Sequence, residues 1–242
     1  VKSMLSLLKY KVISFVRGVF RSIGFSISRI NYKSPLIHHK IDLIFDVGAN
    51  IGQYAMSMRT EGYKGKIVSF EPLPDAYEML IKNSHKDPFW TVHKRCAVGA
   101  KLGEADINIS QNSYSSSLLP MLQVHSSAAP ASVYIGKAKT DVITLDSVFD
   151  FYRKNNEKIF LKIDTQGFEN EVLKGLSKNL KNIFGVQLEL SVVPLYENQN
   201  LYKYFFAFFE ENGFFLWSLI PGFADAKTGQ LFQFDAIFVR NS

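Results

Sequence analysis

From residue 41 onward, apolar runs of strand length alternate with amphipathic stretches of helix length, and this alternation constrains the fold more than any other feature. "IDLIFDV" (41–47), "KIVSFEP" (66–72) and "WTVHKRCAVG" (90–99) predict strands. Residues 53–61 and "PDAYEMLIKNS" (74–84) predict helices, the second opened by Pro74 and Asp75. Strand, helix, strand, helix, strand with short connections implies a parallel sheet with helices on its faces. The rhythm breaks at "EADINIS" (104–110), which alternates like a half-exposed strand, and at the Ser-rich segment 111–132, which predicts a loop. It resumes with a strand and a helix in "KTDVITLDSVFDFY", then strand, turn and helix in "KIFLKIDTQGFENEVLKG" (158–175), with Gly175 at the helix end. A buried strand "FGVQLELS" (184–191), a helix at 200–213 and two closing strands, "FFLWSLI" and "LFQFDAIFVR", complete the chain. At 242 residues and 47% hydrophobic, this is one large domain with an appendage.

The first strand runs into "FDVGANIG", where Asp46, Gly48, Asn50 and Gly52 alternate strictly. Ligands of open α/β sheets bind at such a strand-to-helix turn. Glycines there let a ligand approach the backbone, and the following helix offers free N–H groups. Glu71 ends the second strand, where an acid accepts hydrogen bonds from ribose hydroxyls. A nucleoside-containing cofactor follows. The turn is not G-x-G-x-x-G, since Asn50 stands where a pyrophosphate would need glycine. Asp46 would repel a diphosphate and attract the cationic amino group of a methionine moiety. Both details favour S-adenosyl-L-methionine over a dinucleotide, with Asp46, Gly48, Asn50, Gly52 and Glu71 as the cofactor-binding set.

Asp164 places a charge at the end of an otherwise apolar strand, which demands a partner or a function, and Glu189 ends the next strand at matching depth. These are the expected catalytic residues. As a pair they can take the proton from an acceptor hydroxyl, or hold a divalent ion that acidifies it, and the metal requirement stays open. Asp164 can equally pair with Lys162, and Glu169 has the place of a helix-capping acid. His125, in the Ser-rich segment, and His93, inside a strand, are imidazoles that could serve as base; no histidine spacing fits zinc. Tyr114 with Ser115, Ser116 and Ser117 could stack on and hydrogen-bond a sugar.

The formal charge of +6 is concentrated at the start of the chain. Lys2, Lys9, Lys11, Arg17, Arg21, Arg29, Lys33 and Lys40 precede the first acid, Asp42, leaving 20 basic against 22 acidic residues in 41–242. Leu5, Leu8, Val12, Val16, Val19 and Ile23 fall at helical spacing in this leader. Residues 1–40 thus predict a basic amphipathic helix ahead of a domain at 41–242. The helix would lie on an anionic membrane surface through residues 1–30, or pack on the body or on a second subunit of a homo-oligomer. An organellar presequence is a third reading. No apolar run is long enough to span a bilayer. The near-neutral body, without interleaved basic and aromatic residues, argues against nucleic acid. A single cysteine, Cys96, fits a reducing, cytoplasmic compartment.

These blocks, in order, resemble the FkbM-type S-adenosylmethionine-dependent methyltransferases: "FDVGANIGQYA", "VSFEPLPDAYEML", "CAVG", "TLDSVF" and above all "LKIDTQGFENEVLKG", in which Gln166 stands where that family usually has Glu. The resemblance covers roughly residues 42–210. It implies a Rossmann-like class I methyltransferase fold, α/β, with a seven-stranded mostly parallel sheet whose last strand is antiparallel. It also implies that Asp46, Gly48, Asn50 and Gly52 line the methionine half of the cofactor, that Glu71 holds the ribose, and that Cys96 and Ala97 face the adenine. The activity implied is O-methylation of a hydroxyl, on a saccharide of a glycan or glycolipid or on a natural product. A nicotinamide-dependent oxidoreductase and a membrane-held, non-catalytic cofactor-binding scaffold are the alternatives.

Overall fold

Strand β1 (Leu43–Val47) is buried at every position, and a strand buried on both faces belongs in the middle of a parallel sheet covered by helices. The computed structural model describes residues 14–16 and 34–241 and bears this out. β1 pairs in parallel with β2 (Lys66–Phe70) on one side and β7 (Ile159–Ile163) on the other. β3 (Trp90–Val92) extends the sheet beyond β2, and β8 (Ile183–Ser191) continues it beyond β7, both in parallel. The last strand, β10 (Gln233–Arg240), inserts antiparallel between β8 and β9 (Phe214–Pro221). The order β3-β2-β1-β7-β8-β10-β9 is the seven-stranded sheet implied by the resemblance. Because the chain goes outward from β1 to β3 and then returns to its other flank as β7, a crevice opens at the carboxyl ends of β1 and β7.

Alternate residues of the strands feed two cores. Phe45, Phe70, Leu161 and Ile163 pack with Phe149 of the helix Leu145–Tyr152 and Phe209 of the helix Tyr202–Glu211. Ile44, Ile67 and Phe160 pack on the other face with Ala55 of the helix Gln53–Thr60 and Leu80 of the helix Pro74–Ser84.

Two expectations are corrected. Residues 90–99 are not one strand: β3 stops at Val92, and β4 (Ala97–Val98) leaves the main sheet to pair with β6 (Tyr134–Ile143). β6 also pairs antiparallel with β5 (Gly103–Ser110), giving a separate three-stranded sheet. Arg95 fixes the break, its guanidinium donating to the carbonyl oxygens of Pro72 and Lys139. The Ser-rich segment is not all loop, since Gln123–Ala128 is helical. Gly175 does end its helix, but at φ −72; it is glycine because a Cβ would overlap the carbonyl oxygen of Gly99. These elements belong to a unit spanning Pro35–Ser242. The expected leader helix lies outside the described residues apart from 14–16, which are helical and exposed. Among the described residues no helix is long and apolar enough to cross a membrane.

Candidate active site

The alternation in "VGANIG" has a backbone cause. Gly48, Asn50 and Gly52 all take left-handed conformations, with φ of +75, +48 and +93, and glycine and asparagine adopt that region at least cost. At Gly48 a Cβ would overlap the carbonyl oxygen of Asp164, so glycine lets the β1 turn press against the end of β7. At Gly52 it would strike the Trp90 ring, so glycine there seats the helix Gln53–Thr60 against β3. Gly48 and Asn50 line a cleft at the switch point; Gly52 does not.

Nor does Asp46 line it. Period-two alternation puts Asp46 on the Ile44 face of β1, away from Phe45 and Val47. There it is 0% exposed, accepting a hydrogen bond from Ser69 at 3.1 Å and facing the Lys162 ammonium at 3.8 Å. Burial raises its carboxyl above the usual range, against the opposing pull of Lys162.

Glu71 ties the first two turns together. Its Oε2 accepts from the Asn50 N–H at 2.7 Å and its Oε1 from the Leu73 N–H at 2.9 Å. Burial pushes the carboxyl up to about 7, and the two N–H donors only partly oppose it. Beside it, Cys96, Ala97, Val98, Phe70, Leu73 and Ile107 give the cleft an apolar end. The Cys96 thiol, pushed up to about 12 by burial, stays protonated.

Asp164 and Glu189 meet at the opposite end of the same cleft. Between them stands Gln166, whose Nε2 donates to Asp164 Oδ1 at 2.8 Å and to Glu189 Oε2 at 2.6 Å, while its Oε1 accepts from the Tyr196 hydroxyl at 2.8 Å. Gln233, the first residue of β10, donates a second bond to Glu189 Oε2 at 2.8 Å. Lys162 donates to Asp164 Oδ2 at 3.3 Å. Glu189 is driven well above the ordinary carboxylate range by burial first, then by the neighbouring carboxylates of Asp164, Asp235 and Glu169. Gln166 and Gly167 are both left-handed, and the turn is closed by Glu169, whose Oε1 accepts from the N–H groups of Thr165 and Gly167. Glu169 therefore has a structural place. The donor set does not favour a divalent ion: amide N–H groups bridge the carboxylates, and no group of three or more His, Cys, Asp or Glu suited to a metal occurs among the described residues.

A strap formed by residues 111–119 crosses this cleft. Asn50 Nδ2 donates to Ser113 Oγ at 3.3 Å on the cofactor side, and Ser117 Oγ donates to the Gln166 carbonyl at 2.7 Å on the acid side. Ser115, Ser116 and Ser117 are buried and their hydroxyls bond within the strap and its neighbours, so these serines hold the strap itself. Only Tyr114 projects, 59% exposed, and it lines the cleft. His125 does not reach the cleft. It is buried edge-on against Tyr196, its Nδ1 without a partner, and burial pushes its ring down to about 4. His93 is bonded to the Tyr152 hydroxyl at 2.6 Å. The expected pairing of Asp164 with Lys162 is present, whereas Tyr196 and the bridging role of Gln166 carry no signal in the sequence.

Residues 46–216 match the Methyltransferase FkbM domain. The hexuronic acid methyltransferase AglP of Haloferax volcanii is 28% identical over 62% of this chain and 56% of its own, so the chain spans little more than half of that relative. Methyltransferase sdnD of Sordaria araneosa is 25% identical over 78% of this chain and 85% of its own. Among solved structures, Aeropyrum pernix fibrillarin with bound S-adenosyl-L-methionine aligns at a TM-score of 0.46 and 10% identity over 82% of this chain and 66% of that one. The domain match extends over most of the chain and contains the cofactor turn, Glu71, Asp164 and Glu189; the chain belongs to the FkbM family of S-adenosyl-L-methionine-dependent methyltransferases.

Proposed function

We propose that this enzyme methylates a hydroxyl group, with a saccharide of a glycan or glycolipid as acceptor. The observation that carries this reading is the polarity of a single cleft, with a ribose-type acceptor, Glu71, at one end and a hydrogen-bonded carboxylate pair, Asp164 and Glu189, at the other. The residues present fit the cofactor. Glu71 has one N–H donor on each oxygen and a lone pair on each to spare for the ribose hydroxyls. Gly48 and Asn50 line the part of the cleft we assign to the methionine portion, and Cys96 and Ala97 belong to the apolar wall we assign to the adenine. When bound, S-adenosyl-L-methionine supplies a methyl group on positively charged sulfur.

An alcohol must give up its proton as its oxygen is methylated, and a positioned carboxylate supplies general-base catalysis. Asp164 takes this role: Gln166 holds one oxygen and Lys162 the other, fixing the carboxylate at the cleft. Glu189 shares the Gln166 amide and stands beside the acceptor. The test is transfer of label from methyl-labelled cofactor to a glycan extract, followed by mild alkali. Alkali-stable label, expected of a methyl ether, supports the reading; label released as methanol would mean a carboxylate was esterified and would sink it.

Glu71→Ala is expected to weaken cofactor binding by about 10- to 100-fold, the loss of hydrogen bonds to a charged group. The affinity should also depend on pH. The free carboxyl, at about 7, is protonated below that value, and donation by two ribose hydroxyls favours its ionised form. Binding therefore releases a proton below pH 7, so affinity falls as pH drops from 7 and levels off above it. Calorimetry in two buffers of different ionisation enthalpy checks this. A pH-independent Kd with no buffer effect would detach Glu71 from the cofactor.

A further inference from the structure

The cleft is lined by the carboxylates of Glu71, Asp164 and Glu189 and, among the described residues, by no Lys, Arg or His. Among the described residues, Lys162 and Arg95 lie near and both are already engaged. Lys162 is nearly buried between Asp46 and Asp164, and the Arg95 guanidinium is spent on the carbonyl oxygens of Pro72 and Lys139. Asp235, paired opposite Glu189 across β8 and β10, and Glu169, behind the Gln166 turn, add acids around the same end. An acceptor bearing its own carboxylate or phosphate would lose its hydration there, find no unpaired cation among the described lining residues to replace it, and face the Asp164 carboxyl group. The apolar half of a neutral sugar has a partner instead. Tyr114 stands on the strap between its two clamps, Asn50–Ser113 and Gln166–Ser117, largely exposed and lining the same cleft. Aromatic rings bury large area and present both an apolar face and a polar tip.

We infer that the acceptor is an uncharged saccharide whose ring packs on Tyr114, and that anionic sugars, including uronates, are discriminated against by the acid-lined cleft. This rests on the proposed O-methylation and goes beyond it by fixing the charge of the substrate. It also separates this enzyme from its hexuronic acid methyltransferase relative.

The test uses the full chain loaded with S-adenosylhomocysteine and matched pairs of methyl glycosides and the corresponding uronates. Binding is followed by ligand-observed NMR, and turnover with methyl-labelled S-adenosyl-L-methionine. The expected result is that the neutral member of at least one pair binds and is methylated with kcat/KM at least tenfold above its uronate. Tyr114→Ala should raise KM for that glycoside at least tenfold while S-adenosylhomocysteine affinity stays within twofold. Equal or better use of the uronate overturns the inference. So does failure of every neutral glycoside to bind protein that demonstrably holds S-adenosylhomocysteine, an outcome that leaves the methyltransferase assignment standing. A full chain that folds but does not bind S-adenosylhomocysteine would remove the reading of the cleft itself, and the inference with it.

Discussion

Asp164→Asn should lower turnover by about 10²–10³-fold while leaving cofactor affinity within about threefold, the signature of a lost general base. Asparagine preserves the shape and can still accept from Gln166, so the variant isolates the negative charge. Asp164 is one-third exposed, and Lys162 retains Asp46 as an ionic partner, so the fold should survive. Glu189→Gln is expected to cost less, about tenfold, because burial and neighbouring carboxylates already favour its protonated form. Single-turnover kinetics with saturating cofactor separates the two. If Asp164→Asn kept wild-type turnover, or lost it only in step with cofactor binding, the assignment of the base would fall.

Gly48→Ala carries the largest expected effect on the protein itself. The residue has φ +75, and an added Cβ would overlap the Asp164 carbonyl oxygen, a backbone atom that cannot rotate away. Strain of this kind together with forced separation of two packed strand ends should cost about 3–5 kcal/mol. For a domain of this size that is a fall in Tm of about 6–20 °C. Because the same displacement drags Asp164 and the Asn50 N–H that holds Glu71, both ends of the cleft should fail together. Thermal unfolding and cofactor calorimetry on one preparation would show this, and a Tm within about 2 °C of the wild type would mean that the β1 turn is not pressed on β7 as described.

The central sheet is legible because β1, β7 and β8 are predominantly apolar runs of strand length, and such runs have few places to go except the middle of a parallel sheet. The positions of Gly48 and Glu71 followed from that setting, since a turn and a strand end are local features. Asp46 shows where local reading stops. It belongs to the right turn, but a strand buried on both faces does not announce which face each residue takes, and Asp46 lies on the far one. The serines of the strap misled for a different reason: composition reports hydroxyls without saying that buried backbone groups and neighbouring amides have already claimed them. Gln166 was read as a departure from a motif. Its bridging role depends on β8 lying beside β7 and on Tyr196 reaching back, contacts 23 and 30 residues distant along the chain.

The insertion of β10 between β8 and β9 gives the enzyme an order of assembly. The residues that define the cofactor end, from Gly48 through Ser113, are synthesised long before β10 appears. Glu189 acquires Gln233 as a donor, and Asp235 as its neighbour across the sheet, only when that strand slots into place. A chain still emerging from the ribosome with β1 to β9 complete therefore carries Asp164 with both of its partners, Gln166 and Lys162, while Glu189 still waits for Gln233 and for the strand that covers it.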